Sequence, residues 1–185
     1  ETVNLGVITK NLDSKRIPLN SAQRAEKESQ PLYPYIGANN IMGYIDEYIF
    51  DEKILCVAED GGSWGSGENC AKIYNEKVWV NNHAHVLTEN EKANLEFLMY
   101  YLNFADLTLY INGATRGKLT KSSLNSIKIP LPPIPTQKKK AAILDAADQY
   151  RQYTKSIIEK YDQLAQSLFL DMFGDPVTNS RRFNS

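Results

Sequence analysis

The sequence predicts an α+β protein: a sheet-rich globular domain followed by a long C-terminal helix of the coiled-coil-forming kind. Three observations predict it. Short apolar runs separated by Asn, Asp and Gly occupy the first 130 positions. A proline-punctuated stretch, 127–137, follows with Pro130, Pro132, Pro133 and Pro135. From 137 to 173 neither glycine nor proline intervenes, 37 positions that as a helix would span ~55 Å.

Taken in order, strands are expected at 32–36, 43–49, 54–58, 71–74, 78–80 and 84–87, where β-branched and aromatic residues alternate or cluster between turn residues. A helix is expected over 91–103, capped by Thr88 or Asn90, with Leu95, Leu98, Met99 and Leu102 on its inner face. A shorter one should cover 120–127, through Leu124. The prolines forbid a helix before the last element, Thr136 can cap it, and Gly174 with Pro176 should stop it. Along that helix Ile143, Ala147, Tyr150, Thr154, Ile157, Tyr161, Leu164 and Leu168 alternate spacings of four and three, while Arg151, Lys155 and Glu159 fall outside the seam. Such a helix pairs with another. The expected division is therefore a globular domain at 1–133, a spacer and dimerisation helix at 134–175, and a tail or junction at 176–185.

With 42% hydrophobic and 23% charged residues, the 185-residue chain has material for one soluble domain plus the helix. No run approaches the ~18 apolar residues needed to cross a bilayer, so a cytoplasmic location is expected, with no membrane partner. Cys56 and Cys70 lack metal-like spacing and are expected as buried, reduced thiols. The chain opens on Glu1 without a methionine, which suggests a trimmed chain or an excerpt.

Residues 1–130 hold 13 Lys and Arg against 16 Asp and Glu, so composition alone does not indicate a nucleic-acid binder. Local cationic groups exist: Lys15 with Arg16, Arg24 with Lys27, and Arg116 with Lys118 and Lys121. Each reads equally as a solvated loop. The segment 59–69 carries four glycines, Gly61, Gly62, Gly65 and Gly67, around Trp64, directly after an apolar strand. It is either a binding loop with an available ring or a hairpin linker with Trp64 tucked into the core. It lacks the Lys-Ser/Thr ending of a phosphate-binding loop. Asn39, Asn40 and the run 81–85 add amide and imidazole groups at strand ends, chemistry suited to base edges or simply to tight turns.

Catalytic readings are weak. His83 and His85 are the only two histidines and are expected neither to share a metal nor to relay a proton. No paired-carboxylate motif occurs, Ser63 or Ser66 with His83 makes a weak hydrolytic pair, and the chain reads as non-catalytic.

The chain resembles the specificity subunits of type I restriction–modification systems. The resemblance rests on Tyr35-Ile-Gly-Ala-Asn-Asn-Ile-Met-Gly-Tyr44 with Asp46-Glu-Tyr48, on Gly62-Ser-Trp-Gly65, on Trp79 leading to Asn82-His-Ala-His-Val-Leu87, and on Gly117-Lys-Leu-Thr120 with the proline run 127–137. Their order and spacing, more than any single motif, carry it. It implies one target recognition domain plus one conserved helical region that pairs antiparallel with its counterpart. It also implies recognition of double-stranded DNA and docking of methyltransferase (modification) subunits. S-adenosylmethionine would belong to those subunits and no cofactor to this chain. A restriction (translocase/nuclease) subunit can join the complex. A full subunit carries two recognition domains and one is present here, so the chain is a half-subunit that self-associates or a fragment, with 173–179 resembling the junction to a second half.

Base-reading residues do not carry over by motif. By loop position and side-chain chemistry, the expected phosphate contacts are Arg116, Lys118 and Lys121, with Lys15 and Arg16. Asn39, Asn40, Ser63, Ser66 and Asn82 are expected at base edges, with Trp64 stacking or wedging. Ile143, Ala147, Tyr150, Ile157, Tyr161, Leu164 and Leu168 are expected at the dimer seam. The competing reading, favoured by the acidic balance, is a coiled-coil adaptor whose sheet domain binds protein.

Overall fold

The run Ile54–Ala58 is buried at every position, and its neighbours arrange themselves around it. The computed structural model describes residues 1–28, 30, 32–113 and 116–175. In chain order the elements are β1 (Thr2–Asn4), α1 (Leu5–Ile8), β2 (Thr9–Asn11), α2 (Ser21–Glu26), β3 (Tyr33–Ile36), β4 (Ile41–Ile45), β5 (Ile54–Ala58), β6 (Ala71–Tyr74), β7 (Trp79–Val80), β8 (Ala84–Glu89), α3 (Leu95–Phe104), α4 (Lys121–Ser126), β9 (Lys128–Pro130) and α5 (Ile134–Phe173). Single 3-10 turns cover Asp13–Lys15 and Thr108–Tyr110. The chain divides into two units, Glu1–Ala141 and Ala142–Ser185.

Within the first unit, β5 lies inside a four-stranded sheet of order β2-β8-β5-β6. Leu55 and Val57 enter one apolar cluster with Leu95, Leu98 and Leu102 of α3, while Ile54 and Cys56 enter another with Ile36, Phe50 and Val80. Burial on both faces is why this strand reads as an unbroken apolar run rather than an alternation. A three-stranded sheet of order β4-β3-β7 joins β3 antiparallel to β4 and parallel to β7, with Tyr35 opposite Trp79. A third sheet pairs β1 with β9, Thr2 opposite Pro130. Pro130 is tolerated in so short an outer ladder because it needs no amide donor there.

Several expected boundaries shift. The strand expected at 43–49 runs instead over Ile41–Ile45, because the Asp46 N–H donates to the Lys27 carbonyl, 2.8 Å away, and leaves the ladder. The helix expected over 91–103 begins at Leu95. Its cap is Asn94, whose side chain accepts from the Phe97 N–H, whereas Thr88 lies in β8. The long helix starts at Ile134, ahead of the expected Thr136 cap, and takes Pro135 into its first turn. First-turn amides have no intrahelical acceptor, so the missing N–H costs nothing there. Thr136 is therefore inside the helix, its N–H donating to the Pro133 carbonyl at 2.9 Å.

Gln137, expected only as the helix start, is fully buried. Its Nε2 donates to the carbonyls of Lys92 and Pro132, and its Oε1 accepts from the Asn94 N–H. One amide thus ties α5 to the segment that caps α3. Beyond Ala141, Ile143, Tyr150, Tyr161, Leu164 and Leu168 are exposed, Ala147 is exposed and Ile157 half-buried. The helix continues through Phe173, and Gly174 ends it with φ +78° and an N–H to the Leu170 carbonyl at 2.8 Å. Pro176, the junction residues after 175 and the tail 176–185 lie outside the described residues. Among the described residues no helix is long and apolar enough to cross a membrane.

Candidate nucleic-acid interface

Four connections meet at one end of the two larger sheets. They are the β3–β4 turn with Asn39 and Asn40, the glycine-rich segment after β5, the β7–β8 turn with Asn82 and His83, and the antiparallel bridge that pairs Asn112 with Lys118. The Glu59 N–H donates to the His83 carbonyl, the Leu119 N–H to the Glu59 carbonyl, and the Asn81 N–H to the Ile36 carbonyl. Asp60 also pairs with Lys118 as an isolated bridge. Gly62 lies where the turn and the glycine-rich segment touch. A Cβ on it would come within 2.5 Å of the Ala58 Cβ and 3.2 Å of Asn39 Oδ1, so only glycine allows this approach.

Asn39, Asn40, Ser63 and Asn82 are exposed at this end. Arg116 and Lys118 are exposed beside them, and each is held by an acid from the glycine-rich segment: Arg116 Nη2 by Asp60 Oδ1 at 3.0 Å, Lys118 Nζ by Glu59 Oε1 at 3.0 Å. Lys121 is exposed at the start of α4, two residues after the Leu119 amide bonded to Glu59. Ser66 is exposed, with its hydroxyl donating to the Phe104 carbonyl at 2.9 Å. Lys15 is exposed and pairs with Glu52 at 3.3 Å, and among the described residues no bond joins it to the four connections.

Two expected contacts are structural instead. Trp64 is 7% exposed, inside the larger apolar cluster, with its indole N–H donating to the Ala58 carbonyl. Its burial satisfies both the ring and its one donor, so it is not presented for stacking. Arg16 is likewise turned inward: Nη1 donates to Glu59 Oε2 at 2.7 Å and to the Ala84 carbonyl at 2.6 Å, and Nη2 lies 3.5 Å from Asp13 Oδ2. An enclosed guanidinium with three partners is not available to a phosphate.

Arg16 belongs to a buried polar knot that the sequence did not reveal. His85, 1% exposed, places Nδ1 2.7 Å from Asp13 Oδ2 and Nε2 2.7 Å from the Leu119 carbonyl. Burial alone would raise the Asp13 carboxyl. Hydrogen bonds from His85, the Val86 N–H and Asn11 outweigh it and hold Asp13 at about 2, below an ordinary 3.8. Burial opposes the charge on Glu59 too, and the bonds from Arg16 and Lys118 prevail, keeping it low. Asp13, Glu59 and His85 bring ligand atoms within 4.8 Å of one another. The Arg16 guanidinium lies on both carboxylates and supplies the positive charge that a metal would, so this donor set reads as an ion-pair network. Burial raises both thiols, Cys70 to about 12, so neither is a reactive nucleophile.

The other histidine, His83, is part-exposed in the turn one residue before β8, where the alternation of the strand does not govern it. Its Nδ1 lies 2.6 Å from Asp60 Oδ1, the oxygen that also receives Arg116.

A family profile described as the type I restriction modification DNA specificity domain matches residues 1–161. A protein of Haemophilus influenzae, provisionally named a type I restriction enzyme specificity subunit, is 38% identical over 141 residues, covering 74% of this chain and 36% of the relative. The type I restriction enzyme EcoprrI specificity subunit of Escherichia coli is 28% identical over 133 residues, covering 72% of this chain and 31% of that protein. The solved type I restriction–modification S subunit from M. genitalium shares the fold at a TM-score of 0.67 and 14% identity, over 98% of this chain and 48% of its own. The chain thus spans about a third of the length of these curated relatives and just under half of that solved chain.

Proposed function

Because the chain belongs to the type I restriction–modification DNA specificity family, we propose that it is a non-catalytic specificity subunit, or a half-subunit, that recognises double-stranded DNA by sequence. The observation that carries this reading is the meeting of the β3–β4 turn, the glycine-rich segment, the β7–β8 turn and the Asn112–Lys118 bridge at one end of the sheets. Asn39, Asn40, Ser63, Ser66 and Asn82 offer the donor–acceptor pairs that read base edges, and Arg116, Lys118 and Lys121 the charges that fix register on phosphates. Lys15 is a more distant phosphate contact on the same account.

Methyltransferase subunits would bring S-adenosylmethionine and the chemistry, and a restriction subunit would join them. The apolar seam of α5, exposed from Ile143 to Leu168, would pair antiparallel with a second copy or a second half and set the distance between two half-sites.

The test is enrichment of bound duplexes from a random pool, with the chain alone and with its methyltransferase partner. A short reproducible motif is expected. Retention of all sequences equally, or of none, would overturn the reading.

A further inference from the structure

We propose that His83 reads a base edge, and that Asp60 positions it by holding the imidazole and the Arg116 guanidinium on a single carboxylate oxygen. The proposal rests on the DNA-reading function above and names a specificity residue within it. The contrast with His85 motivates it. His85 uses both ring nitrogens internally. His83 uses only Nδ1, and its side chain is 37% exposed, so its Nε2 edge has no protein partner among the described residues.

Its placement is fixed from three sides. The His83 N–H donates to Asn81 Oδ1 at 2.7 Å, its carbonyl accepts from the Glu59 N–H at 2.9 Å, and Asp60 holds the ring at 2.6 Å. Asp60 is only 18% exposed, while Arg116 beside it is 67% exposed. An oxygen that already accepts from a guanidinium can only accept from the imidazole as well, so Nδ1 is the donor. In the neutral ring Nε2 is then a lone-pair acceptor, on the edge opposite the one that Asp60 holds. The groups that complement an acceptor in the major groove are exocyclic amines, N6 of adenine and N4 of cytosine. Arg116, on the same oxygen, keeps its remaining donors for the adjacent phosphate or a guanine edge.

The experiment compares the chain with His83→Ala, His83→Gln and Asp60→Asn in the bound-duplex enrichment, followed by affinities for every single-base variant of the selected site at several salt concentrations. His83→Ala should lose about tenfold discrimination at one base pair carrying an amine in the major groove, with the other positions and the salt slope unchanged. Asp60→Asn should relax the same position, and His83→Gln, which retains an acceptor, should recover part of the preference. Uniform weakening with a salt slope smaller by about 1 would make His83 a phosphate contact and overturn the proposal. Unchanged selectivity would make the His83–Asp60 pair merely structural and overturn it as well. Selectivity kept at the remaining positions shows that each variant is folded. If the unaltered chain enriches no motif, the parent reading itself has failed, and this proposal falls with it.

Discussion

Asp13 accepts from His85, the Val86 N–H and Asn11, and such a site responds to acid in a defined way. Its carboxyl is held at about 2, below an ordinary 3.8, so it contributes stability that is fully present above about pH 4 and lost as pH falls toward 2. That loss should be about 2 kcal/mol in urea melts between pH 5 and 2, and Asp13→Asn should flatten it while lowering stability at neutral pH. Trp64→Ala should cost about 3–5 kcal/mol, measured the same way, because it empties a buried site; a ring waiting for DNA would leave the melt unchanged. Neither fact was legible in the sequence. Asp13 and His85 are separated by 72 positions, and no local pattern announces such a pairing. For Trp64 the glycines around it support an open loop and a tight turn equally, and only the proximity of Gly62 to Ala58 decides between them.

Elements were legible where their cause is local. Ile54–Ala58 and Ala71–Tyr74 occupy the expected positions, since burial pattern alone dictates them, and α5 exists because nothing between 137 and 173 interrupts it. The N-terminal β1, α1 and β2 were not anticipated: Thr2 pairs with Pro130 and Thr9 with Glu89, partners a short window cannot contain. The α2 helix was readable in principle. Asn20 and Gln23 form a reciprocal capping box, a local signal spanning three positions. Gln137→Leu should destabilise the first unit by about 2–4 kcal/mol in chemical denaturation, since it leaves two carbonyls and one amide without their partners. On α5, Leu164→Lys with Leu168→Lys should shift sedimentation equilibrium to the monomer mass without loss of helicity. An unchanged mass would count against pairing through that seam.

For the molecule as a whole, the charge pattern sets what DNA binding requires. Arg116 and Lys118 already have carboxylate partners, so Asp60 and Glu59 offset part of the charge that a phosphate would meet. Affinity for arbitrary duplex should therefore be low, and Lys118→Ala should reduce the salt slope by about 1 while preserving sequence preference, read from titrations at several ionic strengths. The family was legible from the order of its short motifs. The arrangement of the reading end was not, because it arises from turns that belong to two different sheets. The small β1–β9 ladder carries one more consequence. The Leu131 N–H donates to the Glu1 carbonyl at 2.8 Å, so the backbone enters and leaves the reading unit through the same doorway. A foreign unit closed by an equivalent pair of strands could be spliced in at those two points, so that under the proposed DNA-reading function the unit would be an exchangeable cassette.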